Sequence, residues 1–198
     1  MGRWEPNARG RLEKAALELY DERGFDATTV AEIAARAGLT ERTFFRHFAD
    51  KREVLFGGSE ALGEHLAQGT LDAPASLGPV EAIVHSLTEM AEGVFVGERL
   101  PLARHRAAII AAHPDLRERE LIKMASYSAA LAKAVRQRGV AEPLAALAAE
   151  AGIAIFKVSF ERWLGAAEPD SVTVPAAEPR PLAEFIREAL KDLKTITS

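Results

Sequence analysis

The sequence predicts an all-α protein. Alanine occurs 38 times, against 20 occurrences of valine and isoleucine together, and alanine favours helices whereas β-branched residues favour strands. Apolar residues recur at three- and four-residue steps along most of the chain, which is the period of an amphipathic helix. Because 48% of the 198 residues are apolar, the chain can bury a sizeable core in one domain or in two small ones.

Composition excludes several classes of protein. The sequence has no cysteine, which excludes disulfides, thiolate metal sites and cysteine nucleophiles. No apolar run approaches the roughly 20 residues that span a bilayer, and the first ten residues lack a signal-peptide core. We therefore expect a soluble, cytoplasmic protein with no membrane partner. The formal net charge of −4 and the pI of about 5.8 argue against a strongly basic nucleic-acid coat protein.

The first section of the chain divides into short helices with clear start and stop signals. Residues 9–23 are predicted to form an amphipathic helix, with Gly24 at its C-terminal cap. Thr29 and Glu32 have capping-box spacing and open a short second helix. Gly38 follows its last apolar residues, which places the end of that helix at the glycine.

Longer helices follow these short ones. A third helix is predicted over residues 40–48, and a fourth opens at Asp50 and runs to about residue 68, with three glycines that favour a bend. A break over residues 69–78 ends this section. The remaining helical stretches are residues 80–95, 102–112, 116–138, 143–164 and 182–193. The stretch 143–164 is apolar on two sides. The proline-rich residues 165–181 are predicted to be an exposed loop.

The second and third helices have the layout of a helix-turn-helix, in which the second of the pair enters a DNA major groove. Only Ala37-Gly38-Leu39 joins them. The segment from Arg36 to Arg52 holds five basic and two acidic residues, a local charge of +3 in a chain of −4. This local charge favours DNA binding, although a tight helix corner with a solvated basic face is the alternative.

The run from Gly24 to Leu55 closely resembles the N-terminal domain of tetracycline-repressor (TetR) family regulators. The similarity covers about residues 9–55 and includes a Thr-Val-x-x-Ile-Ala core, Gly38, the Phe-Phe-x-His-Phe cluster and the Asp-Lys-x-x-x-Leu start of the fourth helix. The resemblance implies a three-helix, helix-turn-helix DNA-binding domain over residues 1–56. It also implies a helical ligand-binding and dimerisation domain over residues 57–198.

The resemblance further implies which residues contact DNA. Thr28 or Thr29 would bind a phosphate at the start of the second helix, where helix amides favour an anion. The start of the third helix would meet base edges or flanking phosphates, and residues 47 and 51 would bind phosphates. The expected contacts are Thr28, Thr29, Thr40, Glu41, Arg42, Thr43, Phe45, Arg46, His47 and Lys51.

Side-chain chemistry assigns roles within this set. Arg42 would bind guanine bidentately, Thr43 would meet a thymine methyl, and Glu41 would accept from cytosine or orient the arginine. Phe45 departs from the tyrosine of many family members, whose hydroxyl reaches a phosphate. The phenylalanine cannot donate that bond, which leaves ring packing against sugar, or compensation by Arg46, as the alternatives. The basic arm Arg3, Arg9, Arg11 and Lys14, offset by Glu5 and Glu13, carries +2 and would add backbone attraction.

Apolar side chains in the second domain are candidates for an effector pocket, because such sites are mostly hydrophobic. The candidates are Met90, Phe95, His105, Met124, Tyr127, Phe156, Phe160 and Trp163. The alternative is ordinary core. His85, His105 and His113 raise the question of a metal site, but His105 and His113 lack an acidic partner at helical spacing. We therefore predict neither a metal nor a cofactor.

Together these features predict a homodimeric, ligand-responsive transcriptional regulator, most often a repressor in this family. Residues 143–164 and 182–193 would pair with their two-fold mates, which would make the DNA operator near-palindromic. The alternative is a helical small-molecule- or protein-binding module that does not read DNA. No enzyme is expected, because the sequence has no phosphate-binding glycine loop, no Gly-x-Ser-x-Gly and no His-Glu-x-x-His.

Overall fold

The computed structural model describes residues 7–95, 100–166 and 180–197. These residues form ten α-helices and no strand, so the predicted all-α class is confirmed. The helices are α1 (Ala8–Arg23), α2 (Val30–Arg36), α3 (Glu41–His47), α4 (Glu53–Phe56), α5 (Ser59–Asp72), α6 (Pro79–Val94), α7 (Leu100–Ala112), α8 (Pro114–Gln137), α9 (Leu144–Gly165) and α10 (Leu182–Ile196). None of the described helices is both long and apolar enough to cross a membrane.

The predicted fourth helix is two helices in the structure. α4 ends at Phe56 and α5 begins at Ser59, so the prediction of a single bent helix over residues 50–68 was wrong. Gly58 has a φ of 82°, a left-handed conformation that no α-helix contains and that glycine adopts without steric cost. The two adjacent glycines therefore end α4 completely instead of bending it.

α5 also continues into the predicted break and ends at Asp72. Gly69 lies inside α5, and a Cβ atom added there would lie 2.5 Å from Ser86 Oγ. The Ser86 hydroxyl donates to Leu66 O over 2.9 Å. The glycine at position 69 thus allows α6 to approach α5 closely, and the helix reaches Asp72 because this packing offsets the low helix propensity of glycine.

The chain divides into two compact units, and the first combines residues up to Ser59 with Arg106–Arg117. The family resemblance implied that these twelve residues lie in the second domain. Ile109, Ile110 and Leu116 belong to the same buried core as α1 to α4. Polar contacts add to this packing, because Arg106 Nε donates to Leu55 O and the His113 ring packs edge-on against Phe25 at 5.0 Å.

The second unit comprises Glu60–His105 and the chain from Glu118 onward. α6, α9 and α10 form its core. Gly152 allows α9 to approach α6, because a Cβ there would lie 2.5 Å from Ile83 Cγ2. The buried Ser159 hydroxyl shares its one hydrogen between Ile155 O of α9 at 2.7 Å and Phe185 O of α10 at 3.1 Å. Arg138 Nη1 donates to Ala73 O over 2.6 Å and so binds the chain just after α5.

Candidate nucleic-acid interface

The turn between α2 and α3 is fixed by backbone hydrogen bonds. Gly38 has a φ of 66°. The Gly38 amide donates to Ala35 O over 2.9 Å, and the Leu39 amide donates to Ala34 O over 2.8 Å. This pair of bonds is the Schellman motif that ends helices at a left-handed glycine. Arg11 Nη2 of α1 also donates to Ala37 O, so α1 holds the turn from the other side.

One face of α3 is anchored in the core of the first unit. Phe44 is 0% exposed and Phe48 is 2% exposed, and their ring centroids lie 5.4 Å apart. The Thr40 hydroxyl accepts from the Thr43 amide over 3.2 Å and caps the start of the helix. α3 is only seven residues long, so this packing and the cap, more than helix propensity, hold it in place.

The other face of α3 is open to solvent. Glu41, Arg42, Phe45 and Arg46 are all exposed, and residues three or four apart share one face of a helix. Phe45 is 56% exposed. Its ring packs edge-to-face on Phe44, with centroids 5.6 Å apart and planes at 83°. Neither Arg42 nor Arg46 forms an ion pair or hydrogen bond with any residue that the structure describes.

The other cations of the +3 segment are engaged within the chain. Arg36 Nη2 lies 2.7 Å from Glu22 Oε2, and this hydrogen bond lowers the pKa of Glu22 and raises that of Arg36. Arg52 Nη2 lies 2.7 Å from Asp50 Oδ2. The positive charge available to a ligand on this segment is therefore concentrated on α3.

Comparisons with known proteins agree with this geometry. Residues 12–56 match the family model of bacterial regulatory proteins of the tetR family. This chain contains the N-terminal domain of the tetR family at these residues. It is 39% identical over 75 residues to the transcriptional regulator TcmR of Streptomyces glaucescens, a match that covers 38% of this chain and 33% of TcmR. The chain spans from a third to about two fifths of the length of the first curated relatives that it matches.

Solved structures with this fold align with nearly the full length of the chain. The fatty acid degradation regulator FadR of Bacillus halodurans aligns with a TM-score of 0.54 at 15% identity, covering 97% of this chain and 96% of FadR. SmeT, the repressor of the multidrug efflux pump SmeDEF of Stenotrophomonas maltophilia, aligns with a TM-score of 0.51 at 21% identity, covering 95% of this chain and 89% of SmeT. The TetR-type arrangement of an N-terminal helix-turn-helix and a C-terminal helical domain therefore extends beyond residues 12–56.

The two threonines expected at the start of α2 have different environments. Thr28 is 1% exposed and its hydroxyl donates to Gly24 O over 2.9 Å, so it does not present this group to a phosphate. Thr29 is exposed and forms the predicted capping box with Glu32. The Thr29 amide donates to the Glu32 carboxylate, which lowers the pKa of Glu32. The carboxylate thus occupies the anion position at this helix start, where the TetR resemblance implied a phosphate.

Lys51 also departs from the expected phosphate contact. Its Nζ donates to the carbonyl oxygens of Phe25, Asp26 and Thr28 over 2.8, 3.1 and 2.9 Å. A lysine ammonium has three donors, so all three are used inside the first unit. The Tyr20 hydroxyl donates to Lys51 O over 2.6 Å, and burial raises the pKa of this tyrosine. Lys51 therefore binds the loop before α2 to the segment before α4.

Lys51→Ala is expected to destabilise the first unit, because three carbonyl groups, two of them part-buried, lose a charged donor. We expect a loss of about 1–3 kcal/mol in the free energy of unfolding, measured by urea denaturation. The matched control is Arg46→Ala, which removes an exposed cation and is expected to change stability by about 0.5 kcal/mol or less. Equal denaturation midpoints for the two variants would contradict this structural role for Lys51.

The remaining residues expected to contact DNA differ in how accessible their polar groups are. The Thr40 and Thr43 hydroxyls lie 3.1 Å apart and are hydrogen-bonded to each other. His47 Nε2 is buried and has no hydrogen-bond partner in the described chain, so this nitrogen is not exposed to a phosphate. Of the ten expected residues, the structure leaves four open on one face of α3. They are Glu41, Arg42, Phe45 and Arg46.

The cations of the predicted basic arm have contacts within the chain where the structure describes them. Lys14 Nζ lies 3.9 Å from Glu18 Oε1. Arg9 Nε lies 3.1 Å from Glu13 Oε1, and its guanidinium lies 5.2 Å from the centre of the Phe48 ring. Arg11 binds the Ala37 carbonyl. Arg3 lies outside the described residues. The Arg11 contact was not predictable from sequence, because Arg11 and Ala37 are 26 positions apart and meet only through the packing of α1 on α2.

The candidate effector residues lie in or beside the core of the second unit, apart from the half-buried His105. Met90, Met124 and Tyr127 are buried. The four remaining side chains form an aromatic cluster at the ends of α6 and α9, which consists of Phe95, Phe156, Phe160 and Trp163. Neighbouring ring centroids in this cluster lie 5.6 to 5.8 Å apart.

No three acidic or histidine side chains converge as metal ligands in the part of the chain described. His113 Nε2 lies 3.6 Å from Asp26 Oδ2, and its Nδ1 lies 2.8 Å from Ile109 O. His85 Nε2 lies 3.5 Å from Glu89 Oε1 on its own helix. The histidines raised as alternatives in the sequence analysis thus have contacts of their own.

Proposed function

We propose that this chain is a homodimeric transcriptional regulator that binds a near-palindromic operator through α3, represses from it, and is released by a small hydrophobic effector. The observation that supports DNA binding most directly is the open face of α3. Arg42 and Arg46 lie there without a partner in the described chain, while Phe44 anchors the opposite face. The guanidinium group of an unpaired arginine on an anchored helix suits bidentate binding to guanine edges and phosphates.

Selection of bound duplexes from random DNA tests this proposal. We expect enrichment of a near-palindromic site whose half-sites lie about 34–36 Å apart, or a multiple of that distance, since two-fold related recognition helices impose the spacing. Failure to enrich any duplex at low salt would refute the proposed function. That result would favour a helical small-molecule- or protein-binding module.

An exposed apolar stripe on α9 supports the dimer. Leu144, Leu147 and Val158 are 61, 63 and 50% exposed, and with Ala151 and Ala154 they follow the alternating three- and four-residue spacing of a helix-pairing seam. The opposite side of α9 is buried in its own unit. The exposed stripe is therefore the second of the two apolar sides predicted for this helix, and no described residue covers it. α10 adds Ile196, which is 80% exposed.

Leu147→Asp is expected to break the dimer, because a charge would be buried at the centre of a two-fold apolar contact. Sedimentation velocity should show a monomer for this variant and a dimer for the unmodified protein. The control is Leu121→Asp on α8, where the leucine is equally open at 61% exposure. A dimer that persists in Leu147→Asp, or that also breaks in Leu121→Asp, would rule out the α9 stripe as the interface.

The aromatic cluster of the second unit supports a hydrophobic effector. Phe95, Phe156 and Phe160 are half-buried. Phe95 and Phe160 pack against Trp163, which is 1% exposed, and Phe156 stacks on Phe160. Stacked and edge-on rings offer a large, stiff apolar surface with few polar groups, which suits binding of an apolar small molecule. A compound that binds there should raise the unfolding temperature of the protein and lower its affinity for the selected duplex.

A further inference from the structure

Phe45 is the apolar centre of the open face of α3. The ring is 56% exposed, and its edge-to-face contact with Phe44 fixes its orientation. Phe44 is itself 0% exposed, so Phe45 rests on a rigid base. A single exposed aromatic residue needs no explanation by itself. This one, however, shares its helix face with Arg42 and Arg46, which have no partner among the described residues.

These neighbours indicate the surface that Phe45 meets. Arg42 lies three positions before Phe45 and Arg46 one position after it, and their unpaired guanidinium groups favour an anionic surface. Both arginine side chains are longer than that of Phe45. In a DNA major groove the only apolar group on a base edge is the C5-methyl group of thymine. A phenyl ring has no donor or acceptor, so it gains from contact with that methyl and gains nothing from the polar edges of the other bases.

Thr43 is the other candidate on α3 for contact with a thymine methyl group. It is half-buried, and its hydroxyl is bonded to that of Thr40 at the helix start. Phe45 extends further from the helix axis and is more exposed. Between the two, the geometry favours Phe45 as the residue that reaches a base edge.

We propose that Phe45 reads the 5-methyl group of a thymine in each half-site of the operator, beside base pairs contacted by Arg42 or Arg46. This inference rests on the proposed function, since it concerns the DNA that α3 binds. It gives the phenylalanine, which cannot replace the phosphate contact of a tyrosine hydroxyl, a role in sequence specificity.

Replacement of single thymines by deoxyuridine tests the proposal, because the exchange removes only the methyl group. In the duplex selected from random DNA, we expect a symmetric pair of positions at which deoxyuridine weakens binding. The loss should be about fourfold for one half-site and about fifteenfold for both, the value of one buried methyl group per site. Fluorescence anisotropy titration measures it.

Variants of Phe45 connect this loss to the ring in a double-mutant cycle. Phe45→Ala should bind thymine and deoxyuridine duplexes equally, whereas Phe45→Tyr, which keeps the ring, should still distinguish them. Phe45→Leu provides a second apolar side chain that should retain part of the discrimination. Thermal unfolding of each variant checks that the first unit stays folded, as expected for a side chain that is more than half exposed.

Three results would overturn the inference and leave the proposed function standing. They are binding that no thymine replacement weakens, discrimination that survives Phe45→Ala, and discrimination that Thr43→Ala removes. If Phe45→Ala weakened binding to thymine and deoxyuridine duplexes equally, and the unmodified protein did not distinguish them, the ring would instead be assigned to the sugar–phosphate backbone. Failure of the unmodified protein to bind any duplex would refute the proposed function itself, which keeps the two failures distinct.

Discussion

Arg42→Ala is expected to weaken operator binding by about 1–3 kcal/mol per half-site, or about 5- to 150-fold, if the arginine binds a guanine bidentately. Its guanidinium is exposed and has no partner in the described chain, so no internal contact has to break before it binds. Because it contacts a base, its loss should also relax preference at one position of the half-site. Competition binding with single-base variants of the selected duplex measures both effects.

Arg36→Ala is the matched control for this prediction. It removes the same charge from the neighbouring helix, but Arg36 is held by Glu22 at 2.7 Å and lies 3.6 Å from Glu18. We expect a small loss of affinity that is the same for every sequence, as for a purely electrostatic change. Equal losses in Arg36→Ala and Arg42→Ala would show that net charge, and not the open face of α3, determines binding.

Leu116→Ala is expected to destabilise the first unit by about 2–5 kcal/mol, the usual cost of truncating a leucine in a packed core. Leu116 is 0% exposed and belongs to the core formed with α1 to α4, although 60 residues separate it from Phe56. Hydrogen exchange of the α1–α3 amides should report the loss directly, since it follows the stability of each region. DNA affinity should fall as the unit unfolds.

Leu121→Ala on the same helix is the control. Leu121 is 61% exposed, and we expect its truncation to change stability by about 0.5 kcal/mol or less. If the α1–α3 amides were equally protected from hydrogen exchange in Leu116→Ala and Leu121→Ala, residues 106–117 would not be part of the DNA-binding unit. The contrast matters for function, because a fragment that ends at residue 59 would expose the surface that Leu116 covers.

Local signals explain how much of the fold was predictable. The capping box of Thr29 and Glu32 and the turn at Gly38 depend only on residues within a few positions, and both are present in the structure. The separation of α4 from α5 was not foreseen, because glycine propensity alone does not distinguish a bend from a stop. Only the left-handed conformation of Gly58 decides between them.

The candidate site was predictable in composition but not in detail. The sequence supplied the basic segment, yet counting charges does not reveal which of them are already paired. Arg36 is neutralised from α1, and Lys51 binds carbonyl groups more than twenty residues away. Both contacts depend on packing between helices. Of the five cations in the +3 segment, the structure thus leaves the two arginines of α3, Arg42 and Arg46, available to bind DNA.

The preference for the selected duplex over a scrambled one, measured across salt concentrations, tests most directly whether α3 is the DNA-reading surface. We expect a saturable complex of two protomers per duplex, whose log affinity falls linearly with log salt concentration because phosphate counterions are released. The Arg42→Ala, Arg46→Ala double variant should lose most of the preference for the selected site over a scrambled duplex. Undiminished preference in that variant, or no saturable complex at any salt concentration, would contradict the proposed role of α3.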